Sequence, residues 1–164
     1  MLDQLAIGAP PPNVATTVEP SSAEPYWLLR SGPAKKLGKQ SKGSIAYQLL
    51  TNDARQEVWL TISSNDGGGY FSQEMVALAS VQTCVSDIKP QEPFPSKLLQ
   101  AAFTGRSSNN AGFLAAILRQ ESLLGPAPET EGKHILSGDW TAWKAALLAL
   151  PGTPAEITDI RPAT

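Results

Sequence analysis

Two stretches of alternating apolar and polar residues, followed by a glycine-rich turn, constrain the fold of this chain more than any other feature. Residues 44–51 and residues 57–63 each place every second side chain on one face, which is the period of a β-strand. Residues 65–69 contain Asp-Gly, a pair that supplies the positive φ angles of hairpin turns. Residues 70–76 alternate again, and the apolar run at residues 26–29 adds an edge strand or a buried turn. The sequence therefore predicts an antiparallel β-meander of three to four strands.

After residue 80 the apolar residues recur at the spacing of helices. Asp139 can cap the last helix, and residues 127–138 form a loop that returns along a short strand. The predicted fold class is α+β, in which the meander is followed by a helical half with a winged-helix-like outline. Such an outline can be drawn through any three short helices, so other small packings fit too. The predicted helices cover residues 80–88, 96–103, 107–124 and 140–150.

Prolines concentrate at the two ends of the chain. Five of the 14 lie in the first 25 residues, which contain no aromatic residue, and three lie in the last 14. We therefore expect a flexible Pro-rich N-terminal arm over residues 1–25 and a C-terminal tail over residues 151–164. Between them, residues 26–150 are predicted to form a single α+β domain, with the meander in 26–79 and the helical, winged part in 80–150.

The single cysteine excludes an intrachain disulfide and a multi-cysteine zinc site. The N-terminus has no basic segment ahead of an apolar run, so it does not read as a secretory signal. Residues 145–150 are the longest strongly apolar stretch, far too short to cross a bilayer. We expect a cytoplasmic protein with no membrane partner, no metal and no cofactor.

The net charge of −2 conceals a segregation of charge along the chain. Residues 30–43 carry five basic and no acidic residues, whereas residues 44–95 carry six acidic residues against two basic ones. A flexible basic loop can follow a phosphate backbone and gain affinity by releasing counterions. The alternative is a solvated loop that keeps the protein soluble. The basic residues of the loop are Arg30, Lys35, Lys36, Lys39 and Lys42.

A second candidate feature is a run of polar donors at the start of the helix predicted over residues 107–124. Free backbone N–H groups at a helix start favour anions, and these side chains add donors for phosphates or base edges. Plain N-capping is the alternative, although it explains one such residue and not four in a row. The helix body is apolar, so only its first turn and Arg119 would face a partner. The run contains Arg106, Ser107, Ser108, Asn109 and Asn110.

Signals for catalysis are weak in this sequence. Cys84 and His134 could form a thiol–imidazole pair with Asp139 as its orienting group, but Cys84 lies on an apolar stripe, where a buried inert thiol is the usual outcome. His134 follows a lysine and is expected at the surface. Trp59 lies on the strand face opposite the core-facing residues, which makes it the candidate for an exposed stacking platform.

The sequence thus favours a non-enzymatic, bacterial-type nucleic-acid-binding protein with an accessory or regulatory role, with DNA preferred over RNA. The basic loop would contact phosphates and residues 106–110 would form the more specific edge. The alternative is a protein–protein interaction module, an inhibitor or adaptor, that uses a sheet edge and the acidic face of residues 44–95. If the two basic regions lie on one face, they form a surface for an anionic partner, and the sequence alone does not show this arrangement.

Overall fold

A computed structural model of the 164-residue chain describes residues 25–38 and 43–155. Lys39 and Lys42 of the basic loop, residues 1–24 of the predicted arm and residues 156–164 of the predicted tail lie outside this part. The strands are β1 (Tyr26–Lys35), β2 (Ser44–Asn52), β3 (Val58–Asn65), β4 (Val76–Ala77), β5 (Leu124–Pro126), β6 (His134–Leu136) and β7 (Thr153–Ala155). The helices are α1 (Leu78–Cys84), a 3₁₀ helix (Ser96–Ala102), α2 (Asn110–Gln120) and α3 (Trp140–Leu148).

Five strands form one antiparallel sheet in the order β4-β3-β2-β1-β7, and β5 and β6 form a separate antiparallel pair. The two alternating stretches of the sequence are β2 and β3, which pair with Leu49 opposite Leu60. The predicted α+β fold class, with an N-terminal antiparallel meander, is confirmed. None of the helices in the described part of the chain has the length and apolarity that crossing a membrane requires.

The third predicted strand, residues 70–76, is wrong except at its end, where β4 begins. The backbone oxygen of Tyr70 accepts from Ser107 and Asn109 in the turn before α2, and the backbone N–H of Ser72 donates to Asn110, the first residue of α2. Glu74 turns inward to the same turn. These contacts hold residues 70–75 against the helical half and keep them out of the sheet.

The ends of several other elements also differ from the prediction. The 26–29 run extends into a ten-residue strand, β1, and Thr153–Ala155 of the predicted tail pair with its first residues as β7. The helix predicted from residue 107 begins only at Asn110, because the preceding polar residues bind neighbouring loops instead. The last helix begins as predicted, with the Asp139 side chain accepting from Ala142 N at 3.0 Å.

Buried residues lie on both faces of the sheet. The larger core lies between one face and the helices, and it includes nearly the whole body of α2, from Ala111 to Leu118. A smaller cluster of Tyr26, Leu50, Trp59 and Met75 covers part of the other face. Trp59 is 3 % exposed and packs edge-on against the Tyr26 ring at 5.7 Å, so the prediction of an exposed platform there is wrong.

Candidate functional site

Arg30 forms an ion pair within the molecule, and its side chain is 42 % exposed. Its Nη2 lies 2.6 Å and its Nε 3.3 Å from the carboxylate of Glu121, which also accepts from Tyr47 Oη (2.5 Å) and Trp143 Nε1 (3.0 Å). Burial, followed by the hydrogen bond to Glu121, raises the pKa of Tyr47, so the phenol stays protonated as a donor. Arg30 therefore joins β1 to the end of α2, and its charge is already paired.

Two of the predicted donors before α2 fix the loop that follows β3. Ser107 Oγ and Asn109 Nδ2 both donate to the backbone oxygen of Tyr70, at 2.7 and 2.9 Å. With its carbonyl held twice, Tyr70 presents a ring that is 88 % exposed. Within residues 25–38 and 43–155 the exposed aromatic side chain is Tyr70, which follows the three consecutive glycines of the predicted turn.

Asn110 is a buried residue with a structural role. It is fully buried, its Oδ1 accepts from Ser72 N at 2.9 Å, and its Nδ2 donates to the backbone oxygen of Gly105 at 3.4 Å. A side chain with no exposed surface cannot contact a partner. Its predicted role as a nucleic-acid contact therefore does not fit its position, and it ties the segment after β3 to the turn before α2.

Glu74 is a buried carboxylate that the sequence places within the acidic face. It is 5 % exposed and accepts hydrogen bonds from Ser72 Oγ, from Gly105 N and from both the N–H and the hydroxyl of Thr104. Burial raises its pKa, but the bonds from Ser72, Thr104 and Gly105 outweigh burial, and the net pKa is lowered. Glu74 is a charged structural centre for the 104–110 turn.

A cavity of about 450 Å³ lies between the loop after β1, α2 and the region before β6. It brings Lys36 of the basic loop beside Ser108 and Asn109 of the second candidate feature. The two basic regions thus share one surface through Lys36. The polar and charged lining residues are Lys36, Ser96, Ser108, Asn109, Arg119, Glu131 and His134.

A second cavity, of about 610 Å³, adjoins the first and shares Ser96, Ser108 and Gly112 with it. It adds Lys97 and Arg106 to the lining. We call the two adjoining cavities the groove. Four cationic side chains, Lys36, Lys97, Arg106 and Arg119, line the groove against the single carboxylate of Glu131 among the described residues.

Lys36 is oriented by neighbours on two sides. Its Nζ donates to the backbone oxygen of Asp66 at 2.6 Å and lies 5.7 Å from the centre of the Phe113 ring. An ammonium group has three N–H donors, so this bond leaves two for a ligand. Lys35, the preceding residue, is exposed but lines neither cavity.

Gly112 forms part of the floor of both cavities. A Cβ built on it meets no atom within 4 Å, so no neighbouring side chain fills the space beside it. A glycine inside a helix costs about 1 kcal/mol relative to alanine. No close backbone or side-chain contact requires a glycine here, and the open space beside it is part of the groove. This glycine in an apolar helix is the sequence signal that could have located the site.

His134 was predicted at the surface, which is wrong: it is 2 % exposed. Its Nε2 lies 2.7 Å from Ser96 Oγ and its Nδ1 accepts from Arg119 Nε at 3.0 Å. Burial, and then the positive charge of Arg119, lowers the pKa of His134 to about 4. Cys84 shares no hydrogen bond with His134, and burial raises the pKa of its thiol.

The protein-interaction alternative requires an open sheet edge and an acidic face, and the structure gives little support to either. The two outer strands of the sheet, β4 and β7, have two and three residues. Beyond the reach of β7, β1 carries a bulge and Pro33, both of which discourage pairing with another chain. Of the acidic residues, Glu74 is buried and Glu57 lies 3.8 Å from Lys144 Nζ.

Within residues 25–38 and 43–155, no group of three or more His, Cys, Asp or Glu side chains is placed to hold a metal ion. Comparisons of the chain with protein-family models, with curated proteins and with solved structures gave no match. Function is therefore inferred from the groove itself.

Proposed function

We propose that this protein binds single-stranded nucleic acid in the groove, as a non-catalytic accessory or regulatory protein. The observation that carries the proposal is that four cationic side chains from separate parts of the chain, Lys36, Lys97, Arg106 and Arg119, line one groove. Cationic side chains that replace the counterions condensed on a strand's phosphates supply affinity for any sequence. The hydroxyl and amide groups of Ser108 and Asn109 add neutral donors along the same path.

A single strand suits this surface better than a duplex. The major groove of a duplex is read by an inserted helix or a two-stranded ribbon, and the helix that lines this site, α2, has its body buried in the core. Proteins that bind single strands combine a basic groove with aromatic side chains on which bases stack. Tyr70 is such a ring, and its carbonyl is bound by Asn109, which lines the groove. DNA and RNA both offer the required phosphates and bases, so both are tested.

The test is fluorescence anisotropy of the full chain with labelled twenty-nucleotide DNA and RNA strands between 50 and 200 mM salt. With four phosphate contacts, log K is expected to fall with log salt at a slope of about −3. Lys97→Gln and Arg106→Gln should each reduce that slope by about 0.7. Lys89→Gln is the matched control, because Lys89 is exposed and lines neither cavity of the groove.

Gly112→Leu provides a test that changes no charge. Its side chain would extend into open space at the floor of both cavities. We expect a folded protein with much weaker strand binding. Binding that is independent of salt, or that is unaffected by Lys97→Gln, Arg106→Gln and Gly112→Leu together, would refute the groove as the site. Capture of a purified protein partner with no strand binding would favour the interaction module.

A further inference from the structure

Arg119 determines which ring nitrogen of His134 carries the proton. Arg119 Nε is a donor only, and it points at His134 Nδ1 from 3.0 Å. Nδ1 must therefore accept, which leaves the single proton of the neutral ring on Nε2. The neutral form is the relevant one, since the ring is buried beside a guanidinium and its pKa is lowered to about 4.

The proton on Nε2 determines whether the Ser96 hydroxyl donates or accepts in its bond to His134. Ser96 Oγ lies 2.7 Å from Nε2 and has to accept, because the nitrogen carries the hydrogen. The serine hydrogen is then free to point elsewhere, and Ser96 lines both cavities of the groove. The same arrangement rules out a serine nucleophile of the usual kind, because a nitrogen that is already protonated cannot take the serine proton.

We propose that Ser96 is an oriented donor for a phosphate oxygen in the groove, directed by Arg119 through His134. The ligand class is an anionic oxygen acceptor, since the hydroxyl offers its hydrogen among Lys36, Lys97 and Arg119. That the phosphate belongs to a nucleic-acid strand rests on the proposed function. Free phosphate or a phosphorylated small molecule offers the same oxygen atoms.

The orientation is tested first, without any ligand. His134 is the single histidine of the chain, so a long-range ¹H–¹⁵N correlation spectrum of the full chain reports it without ambiguity. At pH 7 we expect a neutral ring with its proton on Nε2. Arg119→Met removes the donor to Nδ1 and should populate the Nδ1–H form. A wild-type ring that is protonated on Nδ1, or on both nitrogens, would overturn the proposal.

Binding is then measured with a twenty-nucleotide DNA strand and with inorganic phosphate, following the His134 ring resonances. Ser96→Ala should weaken binding about tenfold, and Ser96→Thr, which keeps the hydroxyl, should retain most of it. Ser137→Ala is the control, because Ser137 lines a different cavity. The proposal would be overturned if Ser96→Ala bound with wild-type affinity and if ligand addition did not shift the His134 resonances of the wild type.

The outcomes separate this proposal from the proposed function. If the strand binds with the expected salt dependence but Ser96→Ala has no effect, only the role of Ser96 fails. If inorganic phosphate binds through Ser96 and the strand does not, the phosphate donor stands and the single-strand function fails. If neither probe shifts the His134 resonances and neither binds, both proposals fail.

Discussion

Tyr70 combines an exposed ring with a carbonyl that is held by two hydrogen bonds. Its side chain is 88 % exposed, while its carbonyl accepts from Ser107 and Asn109. We predict that Tyr70→Ala weakens single-strand binding by about 1–3 kcal/mol, the usual effect of removing a stacking ring. The salt slope should not change, because no charge is removed. Anisotropy at several salt concentrations separates the two effects, and a changed slope or an unchanged affinity would contradict the stacking role.

Gly105 lies where the turn before α2 meets the loop after β3. A Cβ there would come within 2.0 Å of Ser72 Oγ and 3.0 Å of Glu74 Oε2, and both atoms are held by hydrogen bonds. We predict that Gly105→Ala lowers the free energy of unfolding by about 1–3 kcal/mol, as overpacking at an enclosed site does. Urea denaturation measures this change.

Gly112→Ala is the matched control for that prediction. The substitution is the same, but the added methyl group meets no atom within 4 Å and the position is helical. Helix propensity should therefore raise the free energy of unfolding by up to about 1 kcal/mol. If both substitutions destabilised the protein equally, close packing around Gly105 would not be the cause.

At the scale of secondary-structure elements, Arg55 holds the end of α3. Its guanidinium donates to the backbone oxygens of Leu148, Leu150 and Pro151 at 2.9, 2.7 and 2.6 Å. The last carbonyls of a helix lack partners within the helix, and a cation there satisfies them. The bond to Pro151 also fixes the chain just before β7. One side chain from the β2–β3 connection therefore joins α3 to the sheet.

We predict that Arg55→Lys destabilises the protein by about 1–2 kcal/mol, because an ammonium group cannot reach three carbonyls as a planar guanidinium does. The charge is kept, and lysine shares the cost of the positive φ of 56° at this position. Hydrogen exchange should accelerate most at the amides of β7 and the end of α3. Uniform acceleration across the whole sheet would show that Arg55 does not act locally. Arg106→Lys is the control, because Arg106 lines the groove, and no residue of α3 does.

The elements that could be predicted from the sequence are those with a simple period or a local signal. Alternation identified β2 and β3, and the aspartate before Trp140 identified the start of α3. The elements that depend on distant contacts could not be found in this way. Residues 70–75 alternate like a strand, but Asn110 and Glu74 bind them to the turn before α2.

The residues of the candidate site likewise differ in whether local sequence or distant contacts determine their role. Lys36, Arg106, Ser108 and Asn109 were predicted from local composition, and all four line the groove. Arg30 belongs to the same basic run, but a carboxylate 91 positions away in the sequence pairs with it. Because a basic run does not reveal which of its charges are already paired, the number of charges available for a ligand follows only from the fold.

At the scale of the whole molecule, two buried groups make stability depend on pH in successive intervals. His134 has a pKa of about 4 in the folded protein against an ordinary value of 6.5. Between these values the unfolded chain binds a proton that the folded chain does not, so stability falls as pH falls. Glu74 has a lowered pKa, so its contribution is complete above its ordinary value of 4.5 and is lost in more acidic solution.

We therefore predict that the free energy of unfolding, measured by urea denaturation, declines from pH 6.5 to pH 4.5 with a slope of at most about 1.4 kcal/mol per pH unit. The chain has one histidine, and carboxylates titrate mainly below this interval, so His134→Gln should flatten the decline. Glu74→Gln should leave that interval unchanged and reduce the loss below it. NMR titration of His134 in the wild type provides the check that needs no variant. A ring that titrates near 6.5 in the folded state would mean that Arg119 and burial do not keep it neutral, and the decline would then have another origin.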